Sequence, residues 1–145
     1  MRKALTQYKK TAANTGSKGR ILLMLYDGAI RFLEQAKVAM EQKRPDLRGA
    51  RLTRAHAIIS ELNVTLDHEV APELCQNLSS LYRYMLDEIT EANRHNDKTK
   101  IDTITELLTD LRGAWAEAVR QTEGQVQTNQ APAPGQARVA LSVAG

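Results

Sequence analysis

The sequence predicts an all-α protein, an antiparallel up-down four-helix bundle in one domain, and three observations carry that expectation. Apolar residues recur at three- and four-residue spacing along four long segments, the period of one helix face. Hydrophobic residues make up 42% of the 145 residues but aromatic ones only 4%. A core of Leu, Ile, Met and Ala suits helices better than sheets, which draw on aromatic and β-branched residues. The only prolines, Pro45, Pro72, Pro132 and Pro134, fall where the helical patterns stop. The length fits one domain of ordinary size.

The first helix is expected from about Ser17 to Lys43. Leu22, Leu25, Tyr26, Ala29, Phe32, Leu33, Ala36 and Met40 form its main stripe, and Ile21, Met24, Ile30 and Val38 a second one. A bundle helix needs only one stripe, so the second is either core or a groove for a partner's amphipathic segment; taken alone, core is the first reading. Gly28 lies inside this helix, where it costs about 1 kcal/mol relative to Ala. It marks a close approach of another chain element or is merely tolerated there.

Asp46 is the expected N-cap of a second helix, whose stripe runs through Leu47, Ala50, Ala55, Ile58, Ile59, Leu62 and Leu66. Asp67, His68 and Glu69 form a polar connection. Pro72 suits the first turn of a third helix, since its missing N–H would be unpaired there, and Glu73 complements the positive helix end. Leu74, Leu78, Leu81, Met85, Ile89 and Ala92 are its stripe, with Tyr82 and Leu86 beside it. The stretch from Asn93 to Asp97 reads as a turn. Ile101, Ile104, Leu108, Leu111, Trp115 and Ala118 define the fourth helix, which is expected to stop by Gly124. The expected organisation is a flexible basic arm over 1–16, the bundle over 17–123 and a disordered tail over 124–145.

The net charge of +3 divides unevenly. Residues 1–20 hold six basic groups and no acid, 124–145 hold only Arg138, and the segment between carries a net −4. The basicity belongs to the ends. No apolar run approaches the ~18 residues of a membrane span, and the single Cys75 cannot form an internal disulfide, so a cytosolic protein without membrane insertion is expected. Chemistry is hard to place in this chain. None of His56, His68 and His95 follows a Glu at the spacing that bundle metal sites use, and no paired ligands support Asp67, His68 and Glu69. Cys75 lies in a first helical turn, which could lower its pKa, but no catalytic signature accompanies it. The Gly16–Arg20 run lacks the phosphate-loop spacing. No metal, cofactor or catalytic activity is expected.

Several segments, taken in order, resemble a known family: the tyrosine-bearing arm before the first helix, MLYDGAIRFLEQAKVAM (24–40), RAHAIISELNVTLD (54–67), ELCQNLSSLYRYM (73–85), EANRHND (91–97) and LLTDLRGAW (107–115). In this order and spacing they are similar to the flagellar secretion chaperones of the FliS family. The resemblance implies a cytosolic export chaperone. Such a protein holds the disordered C-terminal segment of flagellin as helical pieces in apolar grooves, prevents premature filament assembly and meets the export-gate protein when loaded. Carried over by position, Tyr8 is the candidate cover of the empty groove. Ile21, Leu22, Leu25, Tyr26, Ile30 and Leu33 are candidate flagellin contacts on the first helix, and Leu62, Leu66, Tyr82, Met85, Leu108 and Leu111 on the others. Trp115 is expected to pack rather than to touch the partner. A monomer and a homodimer are both compatible with the resemblance. The alternative is a nucleic-acid-binding helical protein using its basic arm, against which stand the acidic body and the absence of an aromatic stacking platform.

Overall fold

Two helices of this chain end where the backbone turns on a residue in the left-handed conformation. In the computed structural model, which describes residues 13–128 with side chains from Lys18 to Gly124, α1 runs Ala13–Glu41, α2 Pro45–Val64, α3 Pro72–His95 and α4 Lys98–Thr128. All regular structure among the described residues is helical, the expected fold class. After α1, Lys43 takes the left-handed conformation (φ 57°), Arg44 N–H bonds Ala39 O at 2.9 Å and Lys43 N–H bonds Met40 O at 3.1 Å. After α3, Asn96 does the same (φ 53°), with its own N–H and that of Asp97 on Ala92 O. Both ends satisfy orphan carbonyls in the manner of a Schellman cap, with Lys and Asn where Gly is commoner.

The Asn-rich turn holds more than its own backbone. Arg48 of α2 donates from Nε to Asn93 Oδ1 (2.9 Å) and from Nη1 to Asn96 Oδ1 (2.8 Å), while Asp97 Oδ1 accepts Thr99 N–H and caps α4. At the other end of α3, Pro72 occupies the first turn as expected, with Glu73 beside it. Asp46 is not the N-cap of α2. The helix begins two residues earlier, with Pro45 already in the first turn and no side-chain cap from Arg44, so Asp46 lies inside the first turn and complements the helix dipole from there.

Ion pairs set the direction of α4 against α1. Asp27 pairs with Arg112, Lys37 with Asp102 and Glu41 with Lys98, so every step up α1 is matched by an equal step down α4. Arg20 and Glu123 extend the same antiparallel sense, though with a longer step along α4. These pairs are largely exposed and each adds at most about 1 kcal/mol, but together they define an antiparallel register. Gly28 against Ile58 and Phe32 against Arg54 give the same sense for α1 and α2, and Glu88 with Lys100 for α3 and α4. Neighbours pack cyclically, α1 on α2, α2 on α3, α3 on α4 and α4 on α1.

The core follows the main stripes: Tyr26, Ala29, Leu33, Ala36 and Met40 from α1, Leu52, Ala55, Ile59 and Leu62 from α2, Leu78, Tyr82, Met85, Ile89 and Ala92 from α3, and Ile101, Ile104 and Leu108 from α4. Two helices that are not neighbours meet through its centre, where the hydroxyls of Tyr26 and Tyr82 hydrogen-bond each other and Trp115 Nε1–H donates to Tyr26 Oη at 3.0 Å. Buried polar tips are thereby partnered where this diagonal contact is made.

Helix α1 starts at Ala13, four residues before the expected Ser17, and α4 passes through Gly124 to Thr128. Residues 1–12, including Tyr8, and 129–145 lie outside the described residues. Gly19, near the start of α1, faces α4. A methyl group there would stand 2.5 Å from Val119 Cγ2, so the two backbones approach over a glycine. Gly19→Ala gains about 1 kcal/mol of helix propensity but drives a methyl into a β-branched side chain with one preferred rotamer. Overpacking costs about 1–3 kcal/mol. The expected result is net destabilisation by about 1 kcal/mol, with faster amide exchange at the start of α1, relieved by adding Val119→Ala; thermal melts and hydrogen exchange measure both.

Candidate partner-binding surface

The sequence-predicted contacts separate cleanly by depth. Tyr26, Leu33, Leu62, Tyr82, Met85 and Leu108 are at most 1% exposed and belong to the core. Leu22, Leu25, Ile30, Leu66 and Leu111 are half-buried and pack against the core from its margin. Ile21 alone among the described candidates projects into solvent, at 54% exposure. Trp115 is half-buried and packs against the core, with its N–H on Tyr26.

The second stripe of α1 is not core, which corrects the first reading of it. Ile21, Met24 and Val38 are all exposed, Met24 at 69%, and Ile30 is half-buried. The reason is register. Spacings of three and four residues place positions 21, 24, 28, 31, 35 and 38 on one ridge, about 100° to 180° around the helix from the buried stripe, and α2 covers only part of it. Gly28 is the point of closest cover: a methyl added there would lie 3.2 Å from Ile58 Cδ1 and 3.8 Å from Arg31 Nη2. Of its two expected explanations, close approach is the one observed. The neighbour at Gly28 is the free end of a flexible side chain, so substitution is better tolerated than at Gly19. Towards the start of α1 from this point, Ile21, Met24 and Leu25 form an apolar strip beside the α1–α2 seam.

Sequence reasoning missed a second strip. On α3, Leu74 and Tyr84 are exposed and Leu81 is half-buried. Their spacing of seven and three residues puts them on one face. The Glu88–Lys100 pair turns that face toward α4, where Leu107 and Leu111 are half-buried. Because the helices pack cyclically, the α3–α4 seam lies across the bundle from the α1–α2 seam. Leu74 and Leu81 were visible in the α3 stripe, but only the neighbour's register tells which members of a wide stripe remain outside.

Groups that could do chemistry are instead occupied in structure. Burial pushes the Cys75 thiol up rather than down, the reverse of what its first-turn position suggests, and Sγ–H donates to Asp67 O at 3.3 Å. Asp67 is buried at the α2–α3 corner, where Oδ1 accepts Glu69 N–H and the carbonyl accepts Val70 N–H. Desolvation raises the phenol pKa of both Tyr26 and Tyr82. Among the described residues no three His, Cys, Asp or Glu side chains gather as metal ligands would, and no helix is long and apolar enough to cross a membrane.

A helical bundle whose polar groups set its register and whose surplus apolar residues form strips on two outer seams has the construction of a helical chaperone. Comparison with known proteins agrees. The family model described as flagellar protein FliS matches residues 1–122. The flagellar secretion chaperone FliS of Vibrio cholerae is 36% identical over 119 residues, covering 79% of this chain and 88% of its own. That of Bacillus subtilis is 33% identical over 115 residues, 79% and 85% of the two chains, and that of Escherichia coli 32% over 111 residues, 76% and 82%. The chain belongs to the FliS family of flagellar secretion chaperones.

Proposed function

We propose that this chaperone binds the C-terminal segment of flagellin, keeping it from assembling in the cytosol and delivering it to the flagellar export apparatus, where the loaded complex meets the export-gate protein. The observation that supports this most directly is the pair of apolar strips on opposite seams. A single long partner segment with two amphipathic pieces can lay one piece in each seam and pass around the end of the bundle between them. Such helix-in-groove binding buries apolar area and orders the partner, so only the surplus appears as affinity. The contacts proposed from the described residues are the outward and marginal ones: Ile21, Met24 and Leu25 on one seam, Leu74, Leu81, Tyr84 and Leu111 on the other. Tyr8 is proposed to cover the α1–α2 strip when no partner is bound.

Titration calorimetry with the full chain and flagellin is the test. One-to-one binding is expected, with a negative heat-capacity change and a gain of helical circular dichroism. Undiminished binding of a flagellin lacking its C-terminal segment would overturn the reading.

A further inference from the structure

Two arginines from different helices reach the same aromatic ring at the α1–α2 seam, and neither has an acid to meet it among the described residues. The Arg31 guanidinium carbon lies 5.6 Å from the centre of the Phe32 ring and that of Arg54 5.4 Å from the same centre, although the two residues come from different helices. Arg31 also turns back along α1, so that Nη2 lies 3.8 Å from where a methyl on Gly28 would stand. Glu34 stands one turn ahead of Arg31 on the same helix, yet neither arginine forms an ion pair among the described residues. Arg51, one turn before Arg54, is likewise without one. On other faces of the bundle Lys37, Lys98, Lys100, Arg112 and Arg120 each hold a carboxylate.

Like charges drawn onto one ring repel each other, and stacking on an aromatic face offsets that only in part. A guanidinium is also the group best shaped for a carboxylate, offering two parallel N–H donors. We infer that Arg31 and Arg54 form a carboxylate clamp that receives an Asp or Glu side chain of the partner helix lying along the α1–α2 seam. The inference rests on the flagellin reading above and adds a register to it. The apolar strip of Ile21, Met24 and Leu25 lies to one side of the clamp, about two turns away along α1. The partner helix therefore carries its acidic residue about two turns from its apolar anchors. Apolar contacts alone would let such a helix slide by a turn; one acid held by two arginines fixes its position.

The test uses the full chain, titrated with the C-terminal segment of the flagellin from the same organism, at two salt concentrations. The wild-type chain is expected to bind. R31Q/R54Q is expected to bind at least tenfold more weakly with a flatter salt dependence, its helicity by circular dichroism unchanged. One acidic-to-amide substitution in the segment should cause the same loss and add nothing in the R31Q/R54Q background. If the double variant fails to fold, R54Q alone is compared in the same way. Wild-type binding that R31Q/R54Q leaves unaltered in affinity and salt slope overturns the clamp alone. Losses that simply add across the two partners overturn it too. Failure of the wild-type chain to bind the segment at all overturns the flagellin reading and the clamp with it. Binding of a short DNA duplex that is lost in R31Q/R54Q assigns the pair to phosphate instead and also overturns the clamp.

Discussion

Replacing Ile21 and Met24 together by Asp is expected to weaken binding of the flagellin C-terminal segment at least a hundredfold while leaving the thermal midpoint within a few degrees of the parent. Both side chains stand mostly in water in the free protein, and substitutions at such sites usually move stability by less than about 0.5 kcal/mol each. Covered by a partner, each large apolar side chain contributes about 1.5–3 kcal/mol, and a carboxylate in its place must also be desolvated. The separation of the two effects is the discriminating feature. Leu25→Asp or Ile30→Asp acts on the half-buried margin and so weakens bundle and binding together; Leu33→Asp places a charge in the core and unfolds the protein. Calorimetry and thermal melts on the same samples decide it. Unchanged affinity in the double variant would show that the partner lies elsewhere.

Tyr26→Phe is expected to cost more stability than Tyr82→Phe, although both remove one hydroxyl from the same hydrogen bond. The Tyr26 hydroxyl also accepts from Trp115, so its loss strips a partner from the indole N–H and from the deeply buried Tyr82 hydroxyl. An unsatisfied buried group costs about 1–3 kcal/mol, which places Tyr26→Phe near 2–3 kcal/mol and Tyr82→Phe near 1 kcal/mol. The double variant should lose less than the sum, since no lone phenol is left behind. The same pair gives the fold an alkaline limit. Both phenol pKa values are raised by burial from about 10, so the folded state holds these protons after the unfolded state has released them. Their stabilisation is complete below about pH 10 and declines as pH rises beyond it. Denaturant unfolding from pH 8 to 11 should fall off less steeply for the double Phe variant, and equal slopes would remove the tyrosines from this role.

Much of the fold was legible because each helix carries its main stripe at a strict period, and Pro45 and Pro72 mark two starts. Helix ends were less legible. Gly124 looks like a break, yet α4 passes through it, and Gly19 faces α4 so closely that an added methyl would meet Val119, a fact about a residue a hundred positions away. The site was legible as a stripe and not as a surface. Tyr26, Leu33 and Tyr82 share their composition with groove residues, and only the position of neighbouring helices sends them inward. The surplus of the Ile21, Met24 and Val38 stripe was a real signal, whereas the α3–α4 strip and the paired arginines depend on inter-helix register that no single segment encodes.

That register also has a mechanical side. The described helices begin at Ala13 and end at Thr128 at the same pole, with α1 and α4 antiparallel between them. Tension applied through these two ends would load the α1–α4 contacts in series. Arg20–Glu123 would give first, then the Gly19–Val119 contact, Asp27–Arg112, Lys37–Asp102 and Glu41–Lys98, one after another. Held this way the bundle unzips at low force, as it would not if the same contacts were sheared all at once.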